Sequence, residues 1–185
     1  SIVNHLIEMH GCRRVAFLQG PTGHSDSVWR EKGYRDALSN HQIPFDPALI
    51  GKGDFSAEAA MVTVLDWIKS DLVFDAVFAG DDEAATGVLQ ALKITGKRVP
   101  EDVAIAGFDD ITFSKYLDPP LTTVRAPTEK VGFEAVRLLV ELIRTGETNM
   151  EIMLPTEMII RQSCGCKQNT GELNYSEVPI NIPSY

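Results

Sequence analysis

Residues 73–110, VFDAVFAGDDEAATGVLQALKITGKRVPEDVAIAGFDD, read as strand, turn, helix, turn, strand. Residues 74–79 are a short apolar run that Gly80-Asp81-Asp82 brings to a stop. Between Glu83 and Ile94, apolar side chains at Ala84, Val88, Leu89, Leu92 and Ile94 recur near the spacing of one helical face. Asp82 is placed to cap that helix by accepting an N–H of its first turn, and Gly96 to end it. A second apolar run, 103–106, closes on Asp109-Asp110. Two strands joined by a helix of this length are parallel, with a right-handed crossover. Each strand then delivers a pair of carboxylates to the same edge, the edge at which open parallel sheets bind ligands.

The alternation continues outward on both sides. Residues 14–18 form a continuous apolar run suited to a strand buried on both faces. The opening residues 1–10 read as the body of an amphipathic helix that Gly11 ends. A loop rich in turn residues, 19–27, lacks the Gly-Lys-Ser/Thr ending of a phosphate loop. Residues 27–41 read as a helix with Val28, Tyr34, Ala37 and Leu38 inward and Arg30 in the first turn. A cation there opposes the helix dipole, so Arg30 is either a solvated arginine or one kept to hold a ligand. A short strand over 49–53 leads to Asp54-Phe55, with Ser56 as N-cap of a helix reaching Lys69. Ala60, Val64, Leu65 and Ile68 make its buried stripe. Phe55 is either a hydrophobic staple for that helix or a ring at the mouth of a cleft.

Beyond the central unit, 111–117 is irregular or a short helix, and 121–124 is β-branched and reads as a strand. Residues 128–144 then form a helix with two apolar rows, one of them Phe133, Val136, Val140 and Ile143. So wide an apolar arc predicts burial on more than one side. Two short strands, 150–155 and 158–161, follow, and the polar residues from Lys167 onward read as a linker without a core. The fold class is α/β, a parallel sheet with helices on both faces.

Composition narrows the function. The formal charge of −9 over 185 residues opposes binding a phosphate backbone, and no run approaches the length of a membrane span. The three cysteines, Cys12, Cys164 and Cys166, fit reduced thiols. Cys164-Gly165-Cys166 offers half of a metal site, but the neighbouring sequence supplies no second ligand pair, so neither a metal nor a cofactor is expected. No serine, cysteine or histidine stands in a nucleophile motif. A hydrolase would have to work with aspartates alone, and no enzyme activity is expected. The strand ends gather His24, Asp26, Arg30, Asp54, Phe55, Asp81, Asp82, Asp109 and Asp110. Carboxylates that accept hydroxyl hydrogens, with one forked guanidinium and an aromatic ring, suit a polyhydroxylated neutral ligand. Asp82 and Asp110 are assigned to capping and turn-making.

The segments AVFAGDDEAATGVLQAL, RVPEDVAIAGFDD and PPLTTVRAP resemble the effector-binding core of the LacI/GalR family of bacterial transcriptional regulators, itself similar to periplasmic sugar-binding proteins. The resemblance runs from about His5 to Cys166. It implies that Arg30, in WREKGY, grips the effector and that Asp109, in GFDD, is the ligand-binding aspartate. Asp81 falls on the polar residue of the strand-end turn, often asparagine in the family. Phe55 matches the aromatic of the GDF turn, and His24 and Asp26 fall on variable selectivity positions.

The resemblance also implies a periplasmic-binding-protein-like domain of two lobes, of which this chain holds mainly one. Residues 1–125 are the ligand-binding lobe, 126–146 a helix that packs on the other lobe, 147–166 closing strands, and 167–185 a tail. A cytoplasmic, homodimeric regulator is implied, with a sugar-like effector as its small-molecule partner. DNA would be met only through a headpiece preceding Ser1. The SCGC ending also resembles family members in which a histidine kinase or diguanylate cyclase output follows the sensor.

Overall fold

The computed structural model describes residues 2–146 and 152–167. Four strands form a parallel sheet: β1 (Val15–Gln19), β2 (Ile50–Lys52), β3 (Ala76–Ala79) and β4 (Ala104–Ala106), in the order β2-β1-β3-β4. β5 (Thr123–Arg125) extends the sheet through parallel bridges from Ala106 to Thr122 and from Asp109 to Arg125. β5 also pairs antiparallel with β6 (Glu157–Ile159). The chain order reverses between β1 and β3, so the crevice at their carboxyl ends is the switch point of a doubly wound sheet.

Because strand side chains alternate between faces, β1 feeds two cores. Ala16 and Leu18 pack with Val64, Val77, Val88, Leu92 and Ile105 beneath α3 (Ala57–Lys69) and α4 (Asp82–Ile94). Val15 and Phe17 pack with Leu6, Tyr34, Ala76 and Phe78 beneath α1 (Ile2–His10) and α2 (Ser25–Asn40). Each large side chain so buried contributes roughly 1.5–3 kcal/mol. The run of apolar residues in β1 therefore carries helices on both faces, as its composition predicts.

Several local expectations are corrected. The N-cap of α4 is Asp81, whose Oδ1 accepts the Ala84 N–H at 2.9 Å; Asp82 is the first helical residue. Ile94 is exposed, because it lies on the last turn of α4 beyond the packed stripe. α2 begins at Ser25, with the His24 Nδ1 accepting the Asp26 N–H. Arg30 therefore stands in the second turn, where the helix dipole opposes a cation much less. Ser27, two turns before the buried Tyr34, shares its inward face, whereas Val28, one residue further on, is 58% exposed. In α3 the third buried residue is Trp67, with Leu65 and Ile68 only partly covered.

The largest departure is α5 (Thr128–Thr145). It has the predicted span, and Gly146 ends it at φ 76°. None of its residues is buried: Phe133 is 68% and Ile143 75% exposed. The wide apolar arc is real, but no element among the described residues covers it. Of the two expected closing strands, Glu157–Ile159 forms, and residues 152–155 do not. Residues 150 and 151, and the tail from 168, lie outside the described residues.

Candidate functional site

The carboxyl edge of the sheet is held open by residues with unusual backbone. Asp54, Phe55, Asp109 and Asp110 all have positive φ, at 50°, 52°, 106° and 55°. Aspartate visits this region with some ease, whereas a bulky aromatic does so at a cost. Such conformations persist only where surrounding bonds impose them, and they cluster at functional sites. Here the Gly53 and Asp54 N–H groups both donate to the Gln19 carbonyl at 2.8 Å, and the Asp109 N–H donates to the Val124 carbonyl at 2.7 Å.

The turn at Asp54 throws the Phe55 ring across the ends of β1 and β3. A Cβ on Gly20 would lie 2.2 Å from the ring, and one on Gly80 3.3 Å. Both strand-end glycines are thus seats for this ring. The ring therefore lies over the strand ends, at the edge of the sheet.

Arg30 enters from α2 and is held on several sides. Its Nη1 donates to the Gly80 carbonyl at 2.5 Å, and its Nη2 bonds Asp109 Oδ1 at 3.0 Å and Asp26 Oδ2 at 3.4 Å. The guanidinium carbon lies 5.2 Å from the Phe55 ring centre and 4.1 Å from that of Phe108. Its side chain is only 10% exposed, so the solvated-arginine reading fails. His24 meets the same Phe55 ring edge-on at 5.2 Å.

The structure thus brings together Arg30, Asp109, Phe55, His24 and Asp26, with Asp81 at the adjoining end of β3. Sequence reasoning missed Phe108, which sits two residues past β4 and shows no signal apart from its neighbour Asp109. It also missed Trp29, 70% exposed beside Arg30. A concavity of about 540 Å³ opens there, with Trp29, Tyr34, Phe108, Val124 and Met158 in its walls.

The carboxylates differ in their surroundings. Burial pushes Asp81 up to about 6, with Asp109 and Asp82 adding to the rise against the Ala84 N–H and Arg30. Burial also raises Asp109, although Arg30 pulls it the other way. Asp82 is completely buried and accepts from the Ser114 and Thr123 hydroxyls at 2.5 Å and from the Ile111 N–H at 3.1 Å. Burial again raises its pKa. Asp110 takes Arg125 at 2.7 Å and Arg161 at 2.6 Å. Burial works against its charge, but the bonds from Arg161 and Arg125 outweigh it and hold Asp110 below the usual carboxylate range. Asp82 and Asp110 are therefore scaffold, joining the loop after β4 to β5 and to the segment after β6.

The sequence near Cys164 and Cys166 offers no second ligand pair, yet the fold brings His5 and His10 to them from the far end of the chain. Sequence spacing cannot reveal a pair separated by 159 residues.

Residues 3–164 match the family described as periplasmic binding protein-like domain. The HTH-type transcriptional regulator CelR of Thermobifida fusca is 39% identical over 155 residues, covering 83% of this chain and 45% of that protein. The transcriptional repressor CytR of Escherichia coli K12 is 35% identical over 162 residues, covering 87% of this chain and 47% of that protein. A structure described as a transcriptional regulator CelR–cellobiose complex superposes with a TM-score of 0.83 at 37% identity, covering 87% of this chain and 49% of that one. The chain spans about half the length of these relatives. No helix among the described residues is long and apolar enough to cross a membrane. With its parallel doubly wound sheet and its match over 3–164, the chain belongs to the periplasmic binding protein-like family, and it is similar to LacI-family transcriptional regulators over about half of their length.

Proposed function

We propose that this chain senses a small polyhydroxylated effector, a sugar or sugar derivative, and catalyses no reaction. The observation that carries the reading is the Arg30 guanidinium, locked between the Gly80 carbonyl and Asp109 under the Phe55 ring. A fork of donors beside carboxylate acceptors matches neighbouring hydroxyls, and the ring offers an apolar face to the flat side of a pyranose. Asp81, His24 and Asp26 are the remaining polar contacts. Because burial is already spent on holding these groups, a ligand meets a preorganised site.

Residues 1–125 form the ligand-binding lobe, and the helix over 126–146 packs on a second lobe that completes the cleft. Within the described residues, β6 closes the sheet edge against β5. In the whole regulator, a cytoplasmic homodimer, closure on the effector changes the grip on DNA. Calorimetry on the intact regulator with neutral mono- and disaccharides, cellobiose first, tests this. Arg30→Ala with Asp109→Ala should abolish measurable binding. Full affinity in that double variant removes the site from this edge, and steady turnover of a glycoside moves the protein to the enzymes. The 185-residue chain alone should bind the same sugar more weakly than micromolar, since a cleft ligand gains much of its burial from closure.

A further inference from the structure

Away from the sheet edge, α1 and the turn after β6 present four metal-ligating side chains to one point. The ligand atoms of His5, His10, Cys164 and Cys166 all lie within 4.8 Å of one another. His5 Nε2 is 3.5 Å from both Cys164 Sγ and Cys166 Sγ, and His10 Nε2 is 3.4 Å from Cys166 Sγ. In a tetrahedral zinc site, with bonds to sulfur near 2.3 Å and to nitrogen near 2.0 Å, adjacent sulfur and nitrogen ligands stand about 3.5 Å apart. Three of the six edges of such a tetrahedron are thus near their expected length, and the rest lie within 4.8 Å. We propose that His5, His10, Cys164 and Cys166 form a structural site for a divalent metal of zinc type, which clasps the first helix to the turn after β6.

The surroundings suit this role. Gly165, at φ 105°, lets the turn close on His10, since a Cβ there would stand 3.1 Å from His10 Nδ1. The Thr122 hydroxyl donates to Cys164 Sγ at 3.1 Å, an outer bond of the kind that orients a metal-ligating thiolate. On binding, each thiol releases its proton to solvent as its sulfur–metal bond forms. Two thiolates then balance the ion's two positive charges, so the buried site carries no net charge. Two thiolates and two imidazoles in a tetrahedral set favour zinc over oxygen-seeking calcium or magnesium. This clasp is independent of the sugar site and stands or falls separately.

The experiment titrates cobalt(II) into the reduced, chelator-treated 185-residue chain and follows the absorption spectrum. One equivalent should bind, with thiolate-to-cobalt charge-transfer bands and the intense visible bands of a tetrahedral ion. One equivalent of zinc should bleach both and raise the melting temperature. The paired variant His10→Ala with Cys166→Ser, altering the two less buried ligands, should lose the charge-transfer bands, whereas His41→Ala should keep them. Binding without thiolate bands, a six-coordinate spectrum, no stoichiometric uptake, or unchanged bands in the paired variant would each overturn the proposal. Circular dichroism of the paired variant must show an intact fold. If it does not, Cys166→Ser alone is read for loss of one thiolate's share of the charge-transfer intensity, and undiminished intensity overturns the site.

Discussion

The ends of β3 and β4 carry the same two letters, Asp-Asp, and divide the work the same way by different means. In each pair the first aspartate lies within electrostatic reach of Arg30, Asp81 while capping α4 and Asp109 in direct contact, and its neighbour turns into the scaffold, Asp82 and Asp110. Asp82 is held by two hydroxyls and an N–H with no cation in contact. Asp110 is held by two arginines. The pKa values follow: Asp82 is raised by burial, and Asp110 is lowered because charge-assisted bonds exceed the burial cost. A carboxylate at a strand end is thus not a ligand residue by position alone. What it touches decides.

The comparison breaks most visibly at Asp82. Replacing it by alanine leaves the Ser114 and Thr123 hydroxyls and the Ile111 N–H unpaired inside the protein, and should cost about 3 kcal/mol in urea unfolding. Asp82→Asn keeps an acceptor and should cost clearly less. A loss under about 1 kcal/mol for the alanine variant would mean the buried network is not a unit. Asp109→Asn should do the reverse. Sugar affinity of the intact regulator should fall ten- to a hundredfold, about 1.5–3 kcal/mol, with little change in unfolding.

The acidity of the two ends sharpens the contrast further. Asp81 titrates in the fold at about 6, above its unfolded value near 3.9, so the folded state holds the proton more tightly. Its contribution to stability is full below about pH 4 and is lost as pH rises through about 6. Asp110, depressed in the fold, acts oppositely: its contribution is present above about pH 4 and is lost as pH falls below that. Unfolding at a series of pH values should show Asp81→Asn flattening the upper window and Asp110→Asn the lower one. A single common window for both variants would refute the division.

The smallest effect is expected on α5. Ile143→Ser in dilute solution should move stability by no more than about 0.5 kcal/mol, because the side chain is 75% exposed. At high concentration, light scattering should show the chain associating through this face, and Phe133→Ser with Ile143→Ser should suppress it. A monodisperse chain at all concentrations would show that the exposed arc needs no cover.

Much of this was legible before the structure. The alternation of apolar runs and helical stripes predicts the parallel sheet, the two layers of helices and the shared edge, because periodicity and crossover handedness are local rules. Arg30, Phe55 and Asp109 emerge at that edge for the same reason. What stayed hidden depends on contacts between distant segments. The exchange of roles between Asp81 and Asp82 turns on one residue of helix register. The exposure of α5 depends on what lies opposite, which a helical stripe does not record. The gathering of His5 and His10 around Cys164 and Cys166 depends on the first and last parts of the fold meeting.

Asp109 is also tied to the root of the last long helix. Its N–H is bonded to Val124, it bridges to Arg125, and its neighbour Asp110 grips Arg125 and Arg161. Three residues past Arg125 begins α5, 18 residues long and so roughly 27 Å from root to tip. A tilt of ten degrees at that root carries the tip through about 5 Å, on the order of one helical turn. On the proposed reading, the carboxylate that meets an effector hydroxyl lies at the root of α5, where a small displacement is magnified along the helix.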